Sequence, residues 1–147
     1  MTTIKRVLVY TDFSEAAKAA VGAAKEVAAR FESTLYVLHV IGEPLSAGWT
    51  SEVSAARMPE LQNAADTELQ DRLSEVLSEE DRERLDATFA IENGIAGDEI
   101  VRYAHEHHID LVVLSRLADD DDAAALVGRV VDRAPCSVFV VRVPAGR

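Results

Sequence analysis

Five short apolar runs alternate with stretches whose apolar residues recur at helical spacing, and this alternation constrains the fold more than any other feature of the chain. The runs are Ile4 to Tyr10, Thr34 to Ile41, Leu85 to Asn93, Ile109 to Leu114 and Ser137 to Val143. Each is of strand length, and most are rich in β-branched residues. Between the first two, Ala17, Ala20, Val21, Ala24, Val27, Ala28 and Phe31 form one helical stripe, with Ser14 placed to cap it ahead of Glu15. Met58, Leu61, Ala65, Leu69, Leu73 and Val76 form a second stripe, which runs out in the charged stretch Ser78 to Arg84. Gly94 and Gly97 frame a loop, Asp98 is a candidate cap for a helix through His107, and Ala124 to Arg133 reads as the last helix. Gly42 to Ala56, which contains Trp49, has no periodicity and reads as a long surface loop. Strand–helix alternation of this kind implies an α/β fold: a doubly wound five-stranded parallel sheet with helices on both faces, because right-handed crossovers place them there. The third strand alternates weakly and reads as an edge.

The 147 residues suit one domain spanning residues 1–147, with 48% apolar residues to build its core. No apolar run approaches the roughly 20 residues of a membrane span, and the start of the chain reads as a strand rather than a signal peptide. The lone Cys136 excludes an internal disulfide and reads as a small buried residue. A cytoplasmic location is expected. The formal charge of −11 argues against nucleic acid as a partner, since no net cation supply exists to displace counterions. Of the 15 cationic residues only Lys5, Lys18 and Lys25 are lysines. That skew suits a protein from a salt-rich cytoplasm, where screening weakens self-repulsion, and equally an ordinary acidic protein.

In an open α/β sheet the ligand crevice lies beyond the C-terminal strand ends, where the strand order reverses. For the order 3-2-1-4-5 that point lies between strands one and four. Asp12, Val40, Ser115 and Arg116 follow or close the strands that converge there. Asp12 could hold a ligand's sugar or base, or order the turn before the helix. A strand, a loop and a helix N-terminus usually hold phosphate at this place. Here the loop has no glycine before Gly128 and carries Asp119 to Asp122.

The segments Val7 to Ser14, Leu38-His39-Val40, Gly94 with Ile100, Asp110 to Val113 and Arg133 to Val141 together resemble the universal stress protein family over essentially the whole chain. The resemblance implies a five-stranded parallel sheet and commonly a homodimer paired through the last strand, here Ser137 to Val143. In members that bind ATP, the residues matching Asp12 and Val40 line the adenine pocket. Their phosphates rest on Gly-x-x-Gly, followed nine residues later by Gly and Ser or Thr. The first two glycines fall on Leu114 and Leu117, and the Gly-Ser pair falls on Ala124-Ala125, with a loop three residues shorter. Leucine adds a β-carbon where backbone must approach phosphate, and Ala125 removes a hydroxyl donor. One aspartate about 8 Å from a phosphate charge costs roughly 0.5 kcal/mol even in water, and several act together here.

The resulting expectation is a non-enzymatic, dimeric regulatory or adaptor module that needs no cofactor and does not bind ATP tightly. The alternative is an adenine-nucleotide sensor for ATP or AMP that keeps the remnant pocket of Asp12, Val40 and Ser115 and uses Arg116 or Arg129 for phosphate, unless these arginines pair with Asp119 to Asp122. A response-regulator receiver ranks last, since Asp12 stands without a second acid and only Glu92-Asn93 lies near the phospho-acceptor position. The aspartate run lacks calcium-loop spacing, and His105, His107 and His108 lack further metal ligands. Ser14, Asp12 and His39 lack a nucleophile-elbow context. Trp49 is a candidate partner contact or a plug for its own sheet end.

Overall fold

The computed structural model describes residues 3–41 and 71–145. The loop expected at Gly42 to Ala56, Trp49 and the helical positions Met58 to Leu69 lie outside the described residues. In chain order the elements are β1 (Arg6–Tyr10), α1 (Glu15–Phe31), β2 (Thr34–Ile41), a helical stretch over 71–76, α2 (Glu79–Arg84), β3 (Thr88–Asn93), α3 (Ala96–Glu106), β4 (Leu111–Leu117), α4 (Asp121–Arg133) and β5 (Ser137–Val143). The five strands form one all-parallel sheet in the order β3-β2-β1-β4-β5. The doubly wound α/β class and the strand order agree with the sequence reading. Receivers use the order 2-1-3-4-5, so the topology removes that alternative.

Strand alternation sorts the core into two layers. Val7 and Val9 of β1, Leu35 and Val37 of β2 and Val113 of β4 face α1 and the 71–76 stretch. Leu8, Leu38, Val40, Val112 and Leu114 face the opposite layer, against Ile100, Tyr103 and Ala104 of α3 and Val130 of α4. Helix α1 sits close to the sheet because its inner stripe is small: Ala17, Ala20, Ala24 and Ala28 are all buried. Ser14 caps it, its Oγ accepting from the Ala17 N–H at 3.2 Å. Phe31, expected in the stripe, is instead 57% exposed; it is the last residue of α1, directly before Glu32 turns the chain at φ 55.

Further boundaries differ from expectation: β1, β3 and β4 begin at Arg6, Thr88 and Leu111 rather than Ile4, Leu85 and Ile109, Leu85 being the C-cap of α2. The charged stretch after the second stripe is a separate short helix, α2, closed by a capping box between Ser78 and Asp81. The Asp81 carboxylate also accepts from Lys25 Nζ at 3.0 Å, and this bond is the main cause holding it below the usual carboxylate range. Helix α3 begins at Ala96 with Ile95 as its uncapped N-cap, so Asp98 stands inside the first turn rather than ahead of it. Strand β4 continues past Leu114 to Leu117, because Ser115, Arg116 and Leu117 keep pairing with Val141, Arg142 and Val143.

Candidate functional site: the crevice between β1 and β4

The strand order reverses between β1 and β4, and a crevice of about 660 Å³ opens there. Its volume falls in the range of small-molecule sites. Tyr10, Leu114, Leu117, Leu126 and Val143 contribute apolar surface, and Asp12, Ser14, Ser115, Asp120 and Asp122 contribute polar groups. The N-termini of α1, α3 and α4 all reach it, an arrangement that ordinarily suits an anion.

Three amides at the α4 end of the crevice, those of Ala118, Ala123 and Ala124, are engaged within the chain. Asp120 is the N-cap of α4, its Oδ1 accepting from the Ala123 N–H at 3.0 Å, and Asp121 and Asp122 occupy the first turn, where their charge complements the helix dipole. The helix therefore begins three residues before the expected Ala124. The Ala118 N–H donates to Val143 O at 2.8 Å, continuing the β4–β5 ladder, and the Ala124 N–H donates to Asp120 O at 3.1 Å. Asp119 makes the bend at φ 64, a conformation aspartate tolerates better than most residues. The aspartate run is thus a turn, a cap and a first helical turn. Replacing Asp120 with alanine should cost about 1 kcal/mol of stability, read as a lower urea midpoint, with Asp120→Asn close to the parent protein.

The sequence-derived site residues separate into two groups. Asp12 and Ser115 line the crevice. Asp12 also orders the turn, its Oδ1 accepting from the Ser14 N–H at 2.9 Å. Val40 is buried in the core layer with Leu38 and Ile100 and does not line the crevice. Arg116, paired in register with Arg142 on β5, also stands outside its lining. Arg129 is bound elsewhere: its guanidinium reaches Asp98 on α3 at 2.6 Å rather than any of Asp119 to Asp122. Gly97 makes room for this link, since a β-carbon there would come within 2.7 Å of Arg129 Cδ.

Tyr10 was not singled out from sequence, although strand alternation puts it on the same face as Leu8. Burial, followed by the neighbouring Asp12 charge, pushes its hydroxyl up to about 12, so a neutral phenol faces the crevice. Glu15, Leu126 and Val143 also line it, brought there by helix register and by the β4–β5 pairing. Glu15 is ion-paired with Lys18 at 3.2 Å.

The residues weighed from sequence for other chemistries have local roles or stand on the surface. Ser14 Oγ serves as a helix cap, and His39 Nδ1 lies 2.9 Å from Thr11 O. His107 stacks on Tyr103 with ring centroids 3.8 Å apart, while His105 and His108 are exposed. Among the described residues no group of three or more His, Cys, Asp and Glu could hold a metal ion. Burial, reinforced by Asp110, pushes the half-buried Cys136 thiol up, away from the reactive thiolate. No helix among the described residues is long and apolar enough to cross a membrane.

Comparison with known proteins places this crevice in context. Residues 3–142 match the model of the universal stress protein family. Universal stress protein UspA from Lactobacillus plantarum is 28% identical, with 97% of this chain and 100% of that chain covered and a TM-score of 0.73. A universal stress protein from Archaeoglobus fulgidus in complex with dAMP shares the fold at 18% identity, covering 95% and 99% of the two chains, with a TM-score of 0.65. Another, in complex with cAMP, shares it at 20% identity over 95% and 98%, with a TM-score of 0.62. No curated relative matches. With the family match running through all five strands, the chain belongs to the universal stress protein family.

Proposed function

We propose that this protein is a non-enzymatic regulatory or adaptor module that acts as a homodimer and does not bind ATP tightly. The observation that carries the reading is the engagement of the Ala123 and Ala118 amides by the chain itself, through the Asp120 cap and the Ala118–Val143 bond. A polyphosphate would have to displace a carboxylate cap and a sheet hydrogen bond, and it would meet Asp12, Asp120 and Asp122 on the same walls. The absence of a cationic side chain from the described lining adds to the argument. Pairing through β5 is supported by its place at the sheet edge and by Phe139, which is 45% exposed.

The second reading, a sensor of ATP or AMP, draws on the relatives in complex with cAMP and dAMP and on Asp12 and Ser115 at the crevice. In it Val40, Arg116 and Arg129 would have to be recruited from outside the lining. Isothermal titration with ATP and with AMP, at low and at molar salt, separates the two. The expected result is no dissociation constant in the micromolar range under either condition; a micromolar value, or one that depends on Arg129, would establish the sensor instead.

A further inference from the structure

We propose that the crevice receives an organic cation with an apolar body, of the quaternary-ammonium kind. The inference rests on the reading that the site does not accept polyphosphate and names what it accepts instead. The independent sign of a ligand is the cavity itself: about 660 Å³ of concave space at the topological switch point, with apolar walls. Its chemistry then selects the class. A hydrated inorganic ion needs converging oxygens, and the described residues assemble no metal cluster. An anion meets the carboxylates of Asp12, Asp120 and Asp122. A quaternary ammonium needs the reverse of both, namely an aromatic face, apolar surface and negative charge nearby, without hydrogen-bond donors.

The crevice supplies these together. Tyr10 offers a ring at its lining, Leu114 and Leu126 offer apolar wall, and Asp12, Asp120 and Asp122 offer charge. The Oδ1 of Asp12 accepts from the Ser14 amide and that of Asp120 from the Ala123 amide, and among the described residues the Oδ2 of each has no hydrogen-bond partner. The Lys18 ammonium offsets Glu15 alone. The partial positive charges of the three helix N-termini, about half a unit each, still leave the three remaining carboxylates in excess.

The test is titration of the full chain with choline and with 3,3-dimethylbutanol, its uncharged isostere, followed by calorimetry and by thermal shift. Choline is expected to bind with a dissociation constant below about 1 mM and at least about tenfold more tightly than the isostere. Tyr10→Leu and, separately, Asp12→Asn should each weaken choline at least about fivefold, while Tyr10→Phe and the remote Glu83→Gln should not. Asp12→Asn keeps an oxygen for the Ser14 amide, so it tests the charge in a folded protein even if Tyr10→Leu does not fold. Equal affinity for the isostere, choline binding unmoved by Asp12→Asn, or no choline binding at all would overturn the proposal. Parallel titration with ATP keeps the two readings apart. Failure of both ligands removes only the cation inference, whereas micromolar ATP binding removes the reading beneath it.

Discussion

Replacement of Ala24 with aspartate is expected to remove most or all of the protein's stability at neutral pH, and to remove less of it in acid. Ala24 is fully buried on the inner stripe of α1, in the layer with Val9 and Val113. A carboxylate there has no partner in reach of water. Such burial raises a carboxyl pKa by about 3–5 units, of which roughly 4 kcal/mol is expressed at neutral pH, and overpacking by the added atoms costs a further ~1–3 kcal/mol. Net stabilities of about 5–15 kcal/mol leave little after that loss. The sign of the pH dependence follows from linkage. The new group would be neutral in the folded state and charged in the unfolded state, so the folded state binds the extra proton. The penalty is therefore complete above the raised folded pKa and shrinks as pH falls toward the unfolded value of about 3.9. Ala24→Asn, which has the same bulk without the charge, should show a smaller and pH-independent loss. Urea melts of both variants between neutral pH and pH 4.5 make the comparison; parallel curves would mean that water reaches α1's inner face.

Leu114→Ala should lower the unfolding free energy by about 2–5 kcal/mol, a fall of roughly 5–15 °C in Tm. Leu114 is 1% exposed and belongs to the layer formed with Val112, Val130 and Ile100, while its edge forms part of the crevice wall. Truncation would leave a void between the sheet and the α3–α4 pair. The adjoining crevice gives the void a route to solvent, which favours the lower half of the range if water fills it. Thermal melts and the urea midpoint at unchanged slope report the loss. A change below about 1 kcal/mol would mean that the α3–α4 pair closes over the gap. The experiment also bears on the phosphate question, since glycine at this position would cost at least as much while leaving the neighbouring amides bonded.

The parts of this molecule visible from sequence are those determined by local composition. Thr34–Ile41 and Ser137–Val143 were read with the boundaries that the structure has, because each is a largely apolar run, interrupted inside only by His39 or Arg142. The cap at Ser14 and the buried alanines of α1 follow from residue type and helical spacing. The misread boundaries depend on partners far away in the chain. Ser115 and Arg116 look like loop residues, and only pairing with Val141 and Arg142 keeps them in β4. Four aspartates look like a solvated loop, and only the direction in which the chain leaves Leu117 makes Asp120 a cap. The Arg129–Asp98 pair joins residues 31 positions apart, through space left by Gly97, and no spacing rule anticipates it. The crevice was located correctly by topology, while its walls depended on those same long-range pairings.

The hydrogen bond from Ala118 to Val143 ties the rim of the crevice to the edge of the sheet. Val143 is both a wall of the crevice and the last residue of β5, in register with Leu117 on the opposite side of the same opening. A molecule that gripped or displaced the end of β5 would therefore move the wall of the crevice with it. The sheet edge and the cavity are one mechanical unit.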